Sequence, residues 1–186
     1  MTIGAEFARL LEAAQRGDEG AISALYRDAN PRLLRFLSAH VPGGGEDLAA
    51  DVWLAVAKHL TKFRGDESAW IGFLFTIARR QVASHWRRDR RRRTVPVAPE
   101  SLAEEPARTE TEEEALRPTR TAELVSLVLR HLSGDQADVI LLRLVAGLDI
   151  EAVAQIMNKS VGNVRVLQHR AVKRLAAALT PEQVTA

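Results

Sequence analysis

Apolar residues recur at intervals of three and four almost from end to end of this chain, and strict apolar–polar alternation never persists beyond a few positions. That is the signature of helices with one buried face, not of half-buried strands. "FARLLEAAQRGD" sets Phe7, Leu10, Leu11 and Ala14 on one side and stops at Gly17. "GAISALYRDANPRLLRFLSAHV" spaces Ile22, Leu25, Tyr26, Leu33, Leu34 and Leu37 along a face, with Pro31 placed to kink or break it. "GGGEDLAADVWLAVAKHLTKF" predicts a helix after a triple glycine, with Glu46 and Asp47 in the first turn, where the helix dipole favours acids. "GDESAWIGFLFTIARRQVASHW" offers Asp66 or Ser68 as N-cap, then a ladder of Trp70, Leu74, Ile77, Ala78, Val82 and Trp86. Trp70, Leu74 and Trp86 are expected in the core because they lie on that ladder. Phe73 and Phe75 cannot both share its face, so at most one is free.

After Arg93 the pattern fails. Residues 94–118 hold four prolines, seven glutamates and little that could build a core, which predicts a flexible tether. Helical spacing resumes at "RTAELVSLVLRHL", breaks at "SGDQ", and continues through "ADVILLRLVAGL", "DIEAVAQIMN" and "SVGNVRVLQHRAVKRLAAAL". The expected fold is all-α. Two small helical domains, an N-terminal bundle over 1–93 and a C-terminal helix-turn-helix domain over 119–186, are joined by the acidic linker 94–118.

The most specific local pattern is "DIEAVAQIMNKSVGNVRVLQHRAVKRL". A helix-turn-helix needs a short helix, a tight turn and a second helix whose outer face enters a DNA groove. Val153, Ala154 and Met157 supply the inner face of the first helix, and Ala154 is small enough for a close crossing. Asn158 stands where the turn calls for a left-handed residue, a conformation asparagine tolerates. Ser160 is a natural N-cap for the second helix. Val164, Leu167, Ala171 and Leu175 then face inward, leaving Asn163, Arg165, Gln168, His169, Lys173 and Arg174 outside. Arginine can fork onto guanine, asparagine or glutamine can pair with adenine, and lysine can hold phosphate. An ordinary amphipathic helix with a solvated basic face would show the same exterior. The short preceding helix, the Asn158 turn and the Ser160 cap favour DNA binding. Lys159 stands where such motifs often carry an apolar side chain.

Charge sharpens the picture. The net value of +2 hides strong asymmetry: eight arginines against one aspartate over 79–93, seven glutamates against two arginines over 94–118, and three arginines with two lysines and no acid over 159–174. Two basic blocks around an acidic one point to an anionic polymer. In the first half, a helix bearing Trp70, Phe73 and Phe75 leads into Arg79, Arg80, His85, Arg87 and Arg88. Aromatic rings and arginines together suit unstacked DNA bases and their backbone. The chain has no cysteine, which excludes disulfides and zinc-thiolate sites. Its five histidines show no paired metal-ligand spacing, and "GGG" at 43–45 has no lysine after it. A helical hydrolase or metal enzyme is poorly supported, so no enzyme activity, cofactor or metal is expected. No stretch approaches the roughly 18 apolar residues of a membrane span, and a soluble, cytoplasmic protein is expected.

The order "EDLAADVWLAVAKHLTKFRG", "AWIGFLFTIARRQVASHWRRDRRR", an acidic linker and "LVLRHLSGDQADVILLRLVAGLDIEAVAQIMNKSVGNVRVLQHRAVKRL" resembles the extracytoplasmic-function sigma factors of bacterial RNA polymerase. The resemblance covers roughly residues 20–178. It implies that residues 1–93 are sigma region 2 and 119–186 sigma region 4. It further implies that the helix over 46–63 grips the clamp helices of the polymerase's largest subunit, through Asp47, Asp51, Leu54 and Lys58. Ala50 stands where the family usually has glutamine.

By the same resemblance, the loop Arg64–Ser68 captures a base flipped out of the −10 element, with Arg64 and Asp66 among its contacts. Arg79, Arg80, Ser84, His85, Arg87 and Arg88 would face −10 DNA, although asparagine is common where Arg80 stands. The −35 element would be read by Ser160, Asn163, Arg165, Gln168, His169, Arg170 and Lys173. The implied partners are core RNA polymerase, promoter DNA and an anti-sigma factor. The alternative function is a stand-alone helix-turn-helix regulator with an N-terminal effector or dimerisation domain.

Overall fold

The computed structural model describes residues 3–94, 127–128, 130–132 and 134–179, and the tether assigned to 94–118 lies, beyond Thr94, outside them. Every regular element among the described residues is helical. Helix α1 spans Phe7–Gln15, α2 Glu19–His40, α3 Gly45–Leu60 and α4 Glu67–Thr94. In the second half, α5 runs over Asp135–Ile140 and passes into a π-helical stretch, Leu141–Val145; α6 follows over Ile150–Met157 and α7 over Val161–Leu179.

The starts of these helices follow from their caps. Asp18 accepts a hydrogen bond from the Ala21 N–H at 2.7 Å, Asp66 from Ala69 at 2.8 Å and Asp149 from Ala152 at 2.7 Å. Each satisfies a backbone donor that the first helical turn leaves without an intrahelical partner. Asp66, not Ser68, is therefore the cap of α4. Gly17 carries φ +91° where α1 turns into α2. Gly45 opens α3 where a Cβ would collide with Ser38, so the last glycine of "GGG" lets α2 and α3 approach closely.

Pro31 does not break its helix. Helix α2 continues through it, because Ala29 and Leu33, and then Phe36 and Leu37, bury on the same side before and after the proline. Interior proline costs about 3 kcal/mol, and burying one such large apolar side chain returns roughly 1.5–3 kcal/mol. Leu48, Val52 and Val56 of α3 and Trp70, Leu74, Phe75 and Ala78 of α4 complete the N-terminal core. Phe36 meets Phe75 edge-on at 5.5 Å, and Phe63 meets Trp70 likewise at 5.5 Å. Phe75 is fully buried and Phe73 is half-buried against Phe63 and Trp70, so neither phenylalanine is free.

Three expectations about exposure are corrected. Trp86 is 41% exposed rather than core, because it lies on the side of α4 that borders the open cleft towards the second half. Ile22 and Tyr26 lie on the margin of the α2 apolar face and remain open beside Trp53 and Leu54.

The C-terminal core gathers Val128, Val139, Ile140, Leu142, Ala146, Val153, Met157, Val164 and Ala171. The π-helical turn, closed by the Ala146 N–H on Leu141 O at 3.0 Å, buries Leu141, Leu142 and Val145 while turning Leu144 outward. The two halves touch. Helix α4 packs on α6, and α2 packs on the π-helical stretch.

Candidate nucleic-acid interface

The second half contains the geometry its sequence predicts. Asn158 closes α6 with φ 52° and ψ 50°, the left-handed conformation that turns the chain sharply into α7. Ser160 Oγ accepts from the Asn163 N–H at 3.2 Å and caps α7. Val153, Ala154 and Met157 are buried on α6, Val164, Ala171 and Leu175 are buried on α7, and Leu167 is half-buried. With that face sealed inward, Ser160, Asn163, Arg165, His169, Arg170 and Lys173 stand exposed, and Gln168 is half-buried at their edge. The structure brings this set together along one helix. Its first residues sit at the helix N-terminus, the end that reaches base edges when a recognition helix enters the major groove.

Lys159 has a physical reason for not being apolar: its Nζ pairs with Asp135 Oδ2 at 2.9 Å.

The N-terminal set divides into three places. Arg64 and Asp66 sit at the start of α4. Arg64 Nη1 donates to the carbonyls of Thr61 at 3.0 Å and Phe63 at 2.7 Å, which braces the loop, while Asp66 caps the helix. Farther along α4, Arg80, Arg87 and Arg88 are exposed, and Arg87 Nη2 donates to Ser84 Oγ at 2.7 Å. At 1.5 Å per residue, Arg80 lies about 21 Å and Arg88 about 33 Å along the axis from Asp66. His85 is half-buried against Trp86, with ring centroids 5.6 Å apart.

Arg79 stands apart from this group. Its side chain turns towards the second half, with Nε donating to Asp138 Oδ2 at 2.5 Å and Nη2 to Asp135 Oδ1 at 2.7 Å. Asp138 also meets His40 Nε2 at 3.0 Å, while His40 Nδ1 meets the Phe36 carbonyl at 3.0 Å. Burial works to raise the Asp138 pKa. The hydrogen bonds from His40 and Arg79, with their charges, outweigh burial and hold the carboxyl below the ordinary carboxylate value. Beside this cluster a cleft of about 1230 Å³ opens between the halves, lined by Arg80, Val82, Trp86 and Arg87 on one side and by Leu132, Ile156 and Met157 on the other.

On α3, Asp47, Asp51, Leu54 and Lys58 are all exposed and follow one another at helical spacing on one side. Leu54, 63% exposed, borders a shallow apolar groove with Ile22, Tyr26, Trp53 and Leu60. Asp47 and Asp51 border a second cleft with His85 and Arg88 of α4. The acidic stripe of α3 and the arginine face of α4 are thus neighbours in one domain.

Sequence reasoning missed two features. The Asp135–Asp138 cluster gave no periodic signal, since its members lie far apart in the chain. The apolar groove was legible only as a surplus of large residues on α2 and α3 beyond what one buried face holds. Among the described residues no group of histidines and carboxylates has the arrangement of a metal site, and no helix is long and apolar enough to cross a membrane.

Comparison with known proteins converges on one family. Residues 25–92 match the family model described as Sigma-70 region 2, and residues 122–175 the one described as Sigma-70, region 4. The chain is 31% identical over 177 residues to the ECF RNA polymerase sigma factor BldN of Streptomyces coelicolor, covering 94% of this chain and 66% of that protein, about two thirds of its length. It is 31% identical over 170 residues to the ECF RNA polymerase sigma factor SigD of Mycobacterium tuberculosis, covering 87% of this chain and 78% of that one. The ECF RNA polymerase sigma factor ShbA of Streptomyces griseus is 31% identical over 176 residues, covering 90% and 92%.

Among solved structures, CnrH in complex with the cytosolic domain of CnrY superposes with a TM-score of 0.66 at 19% identity, covering 93% of this chain and 96% of that one. The sigma factor RpoE in complex with the anti-sigma factor NepR from Bartonella quintana gives 0.65 at 23% identity, covering 87% and 98%. Those two likenesses establish a shared fold.

Proposed function

The chain belongs to the extracytoplasmic-function sigma factors of bacterial RNA polymerase, and from that premise we propose how its halves divide the work of starting transcription. The family consists of initiation factors: bond chemistry stays with the polymerase, and the sigma factor supplies promoter recognition. Residues 1–93 act as region 2 and 119–186 as region 4, with 94–118 as the tether.

Region 2 docks on core polymerase through the exposed stripe of Asp47, Asp51, Leu54 and Lys58, with the groove beside Leu54 extending the contact. Arg64 and Asp66 border the pocket for a flipped −10 base, and Arg79, Arg80, Ser84, His85, Arg87 and Arg88 hold the melted strand and its backbone. Extruding a base costs roughly a few kcal/mol, which these contacts and the stacking of exposed bases offset. Region 4 reads −35 through Ser160, Asn163, Arg165, Gln168, His169, Arg170 and Lys173. An anti-sigma factor covers these surfaces when the protein is held inactive; the RpoE neighbour, solved with NepR, supports that partner class.

The observation that carries this reading is the pairing of a capped helix-turn-helix in one half with an acidic-apolar stripe beside an arginine face in the other. Gel filtration and fluorescence anisotropy with purified core polymerase test the proposal. A stable complex should retain a −10/−35 promoter fork that neither component retains alone. Absence of any complex with core enzyme would overturn it.

A further inference from the structure

Five side chains form an unbroken alternation of charge across the boundary between the halves. His40 on α2 meets Asp138 Oδ1 at 3.0 Å, and Arg79 on α4 meets Asp138 Oδ2 at 2.5 Å. Arg79 also meets Asp135 Oδ1 at 2.7 Å, and Lys159 meets Asp135 Oδ2 at 2.9 Å. All four carboxylate oxygens of the two aspartates are engaged. His40 is 6% exposed, and its ring nitrogens meet the Phe36 carbonyl and Asp138 Oδ1. These contacts sit at the edge of the open cleft, beside the packing of α4 on α6 and of α2 on the π-helical stretch. Partly buried pairs of this kind are screened less by salt than surface pairs.

Elements centred 10 and 35 positions upstream are about 25 base pairs apart, roughly 80 Å along a duplex at 3.4 Å per base pair. Here the two readers touch, so this closed arrangement cannot engage both elements. Arg79, one of the residues assigned to −10, is meanwhile held by Asp135 and Asp138.

We propose that Asp135 and Asp138 form an intramolecular latch that holds region 4 against α4, keeping the free protein closed and Arg79 withheld from DNA until core polymerase parts the two domains. The latch rests on the assignment of the halves to −10 and −35. It adds that the free chain restrains itself without any partner. Because a competent open form is only a fraction of the population, apparent affinity for DNA is reduced by that fraction.

The absence of cysteine allows a clean test, since Glu12→Cys and Ala177→Cys, both at exposed positions in opposite halves, can carry a donor and an acceptor dye. The full-length free protein should give high energy transfer, and added core polymerase should lower it. The double variant Asp135→Asn/Asp138→Asn should give low transfer with unchanged helical circular dichroism and monomeric elution. It should also bind a single-stranded −10 oligonucleotide about tenfold more tightly than the parent, the gain expected if about one molecule in ten is open. Once saturated with core enzyme, parent and variant should transcribe equally.

Lys159→Glu, at the more exposed end of the cluster, should shift transfer in the same direction and guards against a double variant that fails to fold. Folded variants that keep the parent's transfer and oligonucleotide affinity would overturn the latch. Failure of the sigma-factor reading would show separately, as absent binding of core polymerase by parent and variants alike.

Discussion

Replacing Arg165 with alanine isolates base reading from every other contribution. Arg165 is exposed in the second turn of α7 and makes no hydrogen bond or ion pair among the described residues. Its removal should therefore leave folding unchanged and report only on DNA. A bidentate arginine–guanine contact discriminates by about 1–3 kcal/mol, or roughly 5- to 150-fold in affinity.

Lys173 lies eight residues farther along, about 12 Å down the helix axis, and provides the contrast. The assay is promoter binding by the reconstituted holoenzyme, measured on duplexes in which each −35 base pair is changed in turn and repeated over a salt series. Arg165→Ala should flatten preference at one or two adjacent base pairs. Arg165→Lys should keep the charge but lose most of that preference, because a point charge cannot fork onto two acceptors. Lys173→Ala should weaken all sequences about equally and reduce the salt slope by about one. Uniform loss for Arg165→Ala, with an unaltered preference profile, would refute direct reading by this residue.

Other consequences follow from the same geometry. Asp51→Arg should lower core-polymerase affinity in a titration while leaving −35 duplex binding by the free chain intact; unchanged core affinity would mean the docking face lies elsewhere. Asn158 sits at φ 52°, so Asn158→Val should destabilise the C-terminal domain by about 1–2 kcal/mol in a denaturant melt, whereas Asn158→Gly should be tolerated. Asp138, whose carboxyl is held below its unfolded value of about 3.9, contributes stability that is fully present above about pH 4 and is lost as pH falls through the lower folded value. Melting temperatures taken from pH 6 down to pH 2 should fall on that acid limb, and less steeply in Asp138→Asn.

The sequence made the helices and the recognition turn legible because each is specified locally. Asp66 and Ser160 announce helix starts through chemistry confined to one turn, and Asn158 is one of the few residues other than glycine that accepts its conformation. Periodicity could not show what happens where elements meet or end. Pro31 looks like a break until burial on both sides of it is counted. Trp86 continues the α4 ladder in sequence, yet it borders an open cleft instead of packed side chains. Arg79 and Arg80 are adjacent and chemically alike, but a turn of about 100° per residue sends one to Asp138 and the other to solvent. The contacts of His40, Arg79 and Lys159 with Asp135 and Asp138 join residues whose proximity no short-range pattern encodes.

The most direct measurement is run-off transcription with core RNA polymerase, this protein and a library of promoter fragments, followed by mapping of the start sites. Discrete starts preceded by one shared pair of −10 and −35 sequences are expected, with no further initiation factor required. Core enzyme that binds the protein but starts at random, or only where it starts without the protein, would contradict promoter recognition by this chain.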